Sequence, residues 1–155
     1  MKVQEIMTQQ VASCTPDADL ASVAKLMWDR DCGVIPVLDA AGKVLAVVTD
    51  RDICIGVATK GRTASHVATR EVMSGTLHAC LPDDDIMVAL ETMKDVKVRR
   101  LPVIDQNGHL KGIVSLNDVV LRTKPRGAVP AEKVVDTLKS ICEHRRPGEL
   151  ARATA

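Results

Sequence analysis

Apolar residues recur along this chain with two different periods. Leu20, Val23 and Met27 follow one another at helical spacing, which predicts an amphipathic helix. Residues 35–38 and 44–49 are instead short, continuous apolar runs rich in β-branched side chains, which is typical of buried strands. The first sixty residues therefore predict a mixture of helix and strand in close alternation.

Residues that favour turns and helix ends separate these elements. Thr15-Pro16-Asp17 is a helix-start signal, with proline and acid near the first turn, and Gly33 is expected to end that helix. Asp39-Ala40-Ala41-Gly42 predicts the turn of a hairpin between the two strands. A second helix is expected from Asp50 to about residue 58, ended by Lys60-Gly61.

The whole pattern occurs twice along the chain. A shift of 66 residues, without gaps, superposes Pro36-Val37-Leu38-Asp39 on Pro102-Val103-Ile104-Asp105 and Glu5-Ile6-Met7-Thr8 on Glu71-Val72-Met73-Ser74. Each copy is predicted to contain a lead-in strand, a helix, a hairpin of two strands and a second helix. One copy of about sixty residues cannot cover its own sheet, so an α+β fold of two packed copies with pseudo-twofold symmetry is expected.

These copies set the expected domain boundaries. Residues 1–62 form the first repeat, 63–124 the second, and 125–155 a C-terminal extension. Val134, Leu138 and Ile141 line one face of a helix expected at about 131–145, and the tail beyond it gives no compositional reason for order.

Composition and charge exclude several kinds of partner. The chain has 155 residues, a net charge of +1 and a single aromatic side chain, Trp28, so it has neither the charge nor the stacking groups for nucleic acid. No apolar run approaches the roughly 18 residues of a membrane span, and a cytoplasmic location is expected. The five cysteines lack a C-x-x-C pair and the four histidines lack metal-ligand spacing, so neither a disulfide framework nor a metal site is predicted.

The segments whose side chains could bind a ligand lie where a predicted strand runs directly into a helix. They read Thr49-Asp50-Arg51-Asp52 in the first repeat and Ser115-Leu116-Asn117-Asp118 in the second. A hydroxyl at such a junction leaves free N–H groups for phosphate, and a carboxylate three residues later can accept hydrogen bonds from the two hydroxyls of a ribose. The same S/T-x-x-D pattern is also close to a capping box, which needs no ligand. Its recurrence in both repeats favours a ligand site.

Taken in order, these pieces resemble a tandem pair of cystathionine β-synthase (CBS) domains, a Bateman module, of the stand-alone bacterial type. The resemblance covers nearly all of residues 1–124. It rests on Ile6-Met7-Thr8, Gly33-Val34-Ile35-Pro36-Val37 and Val47-Val48-Thr49-Asp50-Arg51-Asp52 in the first copy. In the second copy it rests on Arg99-Arg100-Leu101-Pro102-Val103 and Gly112-Ile113-Val114-Ser115-Leu116-Asn117-Asp118.

The resemblance implies adenine nucleotides (AMP, ADP or ATP) as regulatory ligands in clefts between the two copies. The hydroxyl residue would meet phosphate, the aspartate would hold the ribose, and the strand containing proline, together with the lead-in residues 11–15 or 77–81, would frame the base. The implicated residues of the first site are Val34, Ile35, Pro36, Thr49, Arg51 and Asp52. Those of the second site are Arg99, Arg100, Leu101, Pro102, Ser115 and Asp118.

The expected function is therefore regulation without catalysis. No catalytic cofactor is expected, and Cys54 or Cys142 with a histidine gives no supported enzymatic site. The resemblance implies a homodimer that senses its ligand and signals to a separate protein, which the sequence does not identify. Arg99 and Arg100 should give the second site the more highly charged ligand. The competing interpretation is a structural or protein-interaction module in which the T/S-x-x-D segments are only helix caps.

Overall fold

The computed structural model describes residues 1–122, 127 and 129–143. They form two compact α+β units. Among the described residues, the repeat-1 unit is residues 11–77, and the repeat-2 unit combines residues 1–10 with residues 78–122, 127 and 129–143. The α+β architecture predicted from the sequence is confirmed in both.

The repeat-1 unit is a two-stranded antiparallel sheet flanked by two helices. Its elements are α1 (Leu20–Asp29), β1 (Val34–Leu38), β2 (Val44–Thr49) and α2 (Asp50–Lys60). The lead-in segment is not the strand that the sequence predicts. It is an isolated parallel bridge in which Cys14 pairs with Val37.

The repeat-2 unit repeats this order and adds one helix. Its elements are α3 (Ile86–Asp95), β3 (Arg100–Ile104), β4 (Leu110–Ser115), α4 (Leu116–Arg122) and α5 (Ala131–Cys142). Here too the lead-in is a single parallel bridge, between Cys80 and Val103. The helix α5 lies where the amphipathic pattern of the extension predicts one, and the expected tail lies outside the described residues.

Each unit is completed by a strap that comes from outside its own repeat body. The N-terminal strap, residues 1–10, packs in the repeat-2 unit, where Thr8 and Ile113 exchange two backbone hydrogen bonds of 2.9 Å. Residues 67–74, the linker strap, take the same role in the repeat-1 unit, where Ser74 N donates to Val47 O at 2.9 Å. The contacts of the structure thus divide the chain after residues 10 and 77. The repeat boundaries predicted from the sequence lie instead at residues 62 and 124.

The two units have separate apolar cores. Leu20, Ile35 and Val48 are fully buried in the repeat-1 core, and Val3 of the N-terminal strap is fully buried with Leu101 in the repeat-2 core. Each such side chain contributes about 1.5–3 kcal/mol of burial free energy. The strap is therefore a part of the repeat-2 core.

The start of α1 lies later than the sequence predicts. It begins at Leu20, because Asp19 rather than Thr15-Pro16-Asp17 caps it, with Oδ1 accepting from Ser22 N at 2.9 Å. Asp85 caps α3, with Oδ1 accepting from Met87 N at 2.9 Å.

The end of α1 is also not the predicted one. The helix stops at Asp29, and the left-handed residue after it is Asp31, with φ of 48°, not Gly33. Aspartate tolerates this conformation better than most side chains. Gly61 does end α2, as predicted, with φ of 60°.

Candidate functional site

The hydroxyl and carboxylate of the first repeat meet at the start of α2. Thr49 Oγ1 accepts from Asp52 N at 3.2 Å, and Asp52 Oδ2 accepts from both Thr49 N (2.9 Å) and Thr49 Oγ1 (2.7 Å). Thr49 ends β2 with extended backbone and is the N-cap of α2. The sheet therefore delivers the hydroxyl directly to the free N–H groups of the helix.

The second repeat builds the same geometry with different side chains. Ser115 Oγ accepts from Asp118 N at 3.2 Å, and Asp118 Oδ2 accepts from Ser115 N (2.8 Å) and Ser115 Oγ (2.6 Å). Ser115 ends β4, and α4 begins with the next residue. The match of all three bonds shows that the spacing, and not the identity of the hydroxyl residue, sets the arrangement.

Both aspartates use only one carboxylate oxygen for these contacts. In the described part of the chain no hydrogen bond reaches Oδ1 of Asp52 or of Asp118. Both side chains are half-buried. The capping box of the competing interpretation is thus formed, and it leaves one fixed acceptor oxygen in each unit.

Strand register brings the other predicted residues of the first site beside this pair. Val34 lies directly opposite Thr49 in the antiparallel pair, and Ile35 and Pro36 follow along the same strand. All three are buried. The carbonyl of Pro36 accepts from Cys14 N at 3.0 Å, which joins the lead-in segment to the strand.

The second site has the equivalent strand register, but an arginine stands where the first site has Val34. Arg100 lies opposite Ser115, and Leu101 and Pro102 are buried behind it. Pro102 O accepts from Cys80 N at 3.1 Å. Burial, reinforced by the nearby charge of Asp84, raises the pKa of the Cys80 thiol to about 12, so this thiol stays protonated and unreactive.

The predicted arginines are exposed at these sites. Arg99 and Arg100 precede and begin β3, and Arg51 lies in the first turn of α2. None of the three forms an ion pair with another residue that the structure describes. Their guanidinium groups are free to meet an anionic ligand.

Asp50 is a site residue that sequence reasoning missed. Its N–H donates to Gly33 O at 3.5 Å, and a Cβ built on Gly33 would lie only 2.9 Å from Asp50 Oδ2. In the second repeat, Arg99 and Leu116 hold these two positions. The sequence signal was the hairpin register, which places residues 33 and 50 side by side.

The described residues contain no group of three or more His, Cys, Asp or Glu side chains arranged to hold a metal ion. None of their helices is long and apolar enough to cross a membrane.

Comparison with known proteins identifies the class of domain. The sequence profile of the CBS domain family matches residues 3–58 and 69–123, two segments that begin 66 residues apart. The chain belongs to the CBS domain family and contains two CBS domains.

One relative of this chain is named for the same domain. The CBS domain-containing protein YhcV of Bacillus subtilis is 36% identical over 119 residues, which cover 77% of this chain and 83% of that protein. The protein MK0525 of Methanopyrus kandleri is 28% identical over 120 residues. That alignment covers 77% of this chain and 61% of MK0525, so the chain spans less than two thirds of this relative.

Solved structures show the same fold. The CBS domain protein TA0289 of Thermoplasma acidophilum superposes with a TM-score of 0.78 at 21% identity, covering 90% of this chain and 75% of that one. The CBS domain pair of protein MJ0100 superposes with a TM-score of 0.71 at 20% identity, covering 78% and 94%. The MJ0100 crystal contains 5′-methylthioadenosine and S-adenosyl-L-methionine.

Proposed function

We propose that this protein is a regulatory module that binds adenine nucleotides of the AMP, ADP or ATP type, without catalysing a reaction on them. The observation that carries the proposal is the carboxylate geometry of Asp52 and Asp118. Each aspartate is held by its capping contacts on Oδ2, and each keeps Oδ1 without a protein partner among the described residues. In each unit the cap thus leaves a carboxylate oxygen in a fixed position where a ligand hydroxyl can donate to it.

The chemistry of a nucleotide matches the parts of each site. A ribose offers two adjacent hydroxyl donors to the spare oxygen of the aspartate. The hydroxyl and the free N–H groups at the start of the helix suit a phosphate, and the buried strand with proline offers apolar surface and backbone groups to the base. In the repeat-2 unit, Arg99 and Arg100 add two cations for further phosphates.

The MJ0100 complex supports the adenosine part of this proposal. The two ligands of that CBS domain pair share adenosine and differ in what the 5′ carbon carries. The part common to these two ligands is therefore the nucleoside, which is the part that we assign to the aspartates of this chain.

Thermal shift and calorimetry with AMP, ADP and ATP test the proposal. A ligand at 100 times its Kd should stabilise the native protein by about 2.7 kcal/mol. The double variant Asp52→Ala with Asp118→Ala should lose this stabilisation. Asp19→Ala is the matched control, because Asp19 caps α1 and is not one of the predicted site residues, so its loss should lower stability without changing the ligand-induced shift.

Either of two results would overturn the proposal. If the double variant keeps the full nucleotide-induced shift, or if none of the three nucleotides binds the unsubstituted protein, the aspartates are not ribose ligands. The second candidate function, a ligand-free interaction module, is favoured by the capping boxes themselves. It predicts no shift with any nucleotide and a loss of stability alone in the double variant.

Homodimer formation and signalling to a separate protein belong to the same proposal. Large apolar side chains lie on the helix surfaces, among them Trp28 of α1, 86% exposed, and Leu121 of α4, 80% exposed. Exposed apolar side chains of this size are available for contacts between subunits or with a partner protein. Light scattering at micromolar concentration, with and without AMP, should give a dimer, and a monomer in both conditions would refute this assembly.

A further inference from the structure

We propose that the two sites divide adenosine compounds by charge, and that Asp50 is the residue that sets this division. The repeat-1 unit takes adenosine derivatives whose 5′ substituent is uncharged or positive, such as a thioether or a sulfonium. The repeat-2 unit takes the phosphorylated ones. This inference rests on the proposed nucleotide-binding function and adds the ligand class of each site.

The two sites are equivalent in backbone and opposite in charge. Around the ribose-binding aspartate, the repeat-1 unit has Asp50 and Arg51 where the repeat-2 unit has Leu116 and Asn117. On the facing strand end, Gly33-Val34 corresponds to Arg99-Arg100. With Asp52 and Asp118 themselves included, the side chains of these positions sum to a charge of −1 in the repeat-1 unit and +1 in the repeat-2 unit.

The Asp50 carboxylate occupies the position from which the Arg99 side chain extends in the repeat-2 unit. The Asp50 carboxylate lies over the Cα of Gly33, with Oδ2 within 2.9 Å of the point where a Cβ would stand. Arg99 has its Cβ at the equivalent point of the repeat-2 unit. A negative group therefore occupies, in one site, the space from which a positive side chain extends in the other.

No cation of the described chain neutralises Asp50. Its Oδ1 accepts from the N–H of Arg51 at 2.7 Å, and neither Asp50 nor the Arg51 guanidinium forms an ion pair among the described residues. Arg51 balances one of the two neighbouring aspartates, not both. A phosphate bound at the start of α2 would thus lie beside an uncompensated carboxylate, whereas a sulfonium would gain from it.

The experiment isolates the repeat-1 site with the variant Asp118→Ala. Calorimetry at low salt then compares AMP with 5′-methylthioadenosine, which carries no phosphate. We expect 5′-methylthioadenosine to bind about tenfold more tightly than AMP. This factor corresponds to the Coulomb repulsion between a phosphate dianion and one carboxylate ~7 Å away in a water-like dielectric. Adding Asp50→Asn should remove most of this preference.

A matched control and a converse variant sharpen the test. Asp29→Asn makes the same change of charge at the end of α1 and should leave the preference unchanged. The pair Gly33→Arg with Asp50→Leu copies the repeat-2 pattern, and the removal of Asp50 also frees the space for the new side chain. It should reverse the preference in favour of AMP.

Three outcomes would overturn the inference. AMP could bind the Asp118→Ala protein as tightly as 5′-methylthioadenosine does, Asp50→Asn could leave the ratio unchanged, or the repeat-1 site could bind neither compound. In each case nucleotide binding at Asp118 in the unsubstituted protein would still support the proposed function. Only the absence of all adenosine binding from the unsubstituted protein would refute both.

Discussion

Gly112 sets how closely the N-terminal strap can approach the sheet of the repeat-2 unit. A Cβ built on Gly112 would lie 2.6 Å from Thr8 O and 3.0 Å from the Met7 Sδ atom. The first of these is a backbone atom, which can move only if the strap moves with it. Gly112→Ala should therefore displace the strap from β4.

The cost follows from the contacts at stake. The displaced strap strains both backbone hydrogen bonds between Thr8 and Ile113, each net worth about 0.5–1.5 kcal/mol, and overpacking of this kind costs about 1–3 kcal/mol. Replacing glycine by alanine also lowers the conformational entropy of the unfolded chain, which offsets about 0.4–1 kcal/mol of this loss of stability. We expect a net loss of about 1–3 kcal/mol, which lowers Tm by roughly 2–12 °C.

The repeat-1 unit shows how far the strap can adapt. Ala46 stands at the position equivalent to Gly112, and there Val47 N donates to Ser74 Oγ at 3.2 Å instead of to a backbone carbonyl. A β-carbon at this point thus goes together with the loss of one backbone bond. The adapted bond is longer and less direct, so the substitution should destabilise the protein without unfolding it.

Urea unfolding and amide hydrogen exchange measure the effect. Exchange at Ile113 should quicken in Gly112→Ala, because its N–H loses Thr8 O as acceptor. Gly75→Ala is the matched control, since nothing lies within 4 Å of a Cβ there. The steric reasoning is wrong if Gly112→Ala is as stable as the Gly75→Ala protein and Ile113 keeps its protection.

Two further substitutions test single contacts. The N–H of His109, helped by other contacts of the hairpin, lowers the pKa of Asp105 to about 2, below its ordinary 3.8, so this carboxylate stabilises the fold above about pH 4 and the stabilisation disappears as the pH falls towards 2. Urea unfolding should show the difference between the unsubstituted protein and Asp105→Asn shrinking over that range. Gly56→Ala should destabilise α2, because its Cβ would lie 2.5 Å from Val72 Cγ1, and adding Val72→Ala should restore stability.

Each of these has a result that contradicts it. A stability difference for Asp105→Asn that stays constant from pH 5 to pH 2 would mean that the carboxylate is not held by the hairpin. Denaturation of Gly56→Ala at a higher urea concentration than the unsubstituted protein would show that Val72 moves aside at little cost, because only the higher helix propensity of alanine would then remain.

The hairpins and the strand-to-helix junctions could be predicted from the sequence. Val44–Thr49 and Leu110–Ser115 have the bounds that their apolar runs predict, and α2 and α4 begin directly after them. These elements rest on local signals, namely β-branched runs, turn residues and a hydroxyl cap, which no other part of the chain opposes. The first contacts of both sites follow from the same local spacing.

The ends of α1 and the course of the straps could not be predicted in this way. The sequence offers several acids near each helix start, and tertiary hydrogen bonds accompany the one that is used: Leu20 N donates to Val67 O, and Ile86 N donates to Met1 O. The repeat of 66 residues does not identify such partners, because it shows which positions of the two copies are equivalent and not which residues contact each other. Asp50 was missed for the same reason, since its importance comes from lying beside Gly33.

The origin of the two straps bears on the order in which the protein can fold during synthesis. The repeat-1 unit is continuous, residues 11–77, so every partner in its core has left the ribosome once that stretch has emerged. The N-terminal strap is translated before the repeat-1 unit, yet its partner Ile113 comes about a hundred residues later than Thr8. The N-terminal strap must therefore wait, without its native contacts, until the second CBS domain has been made.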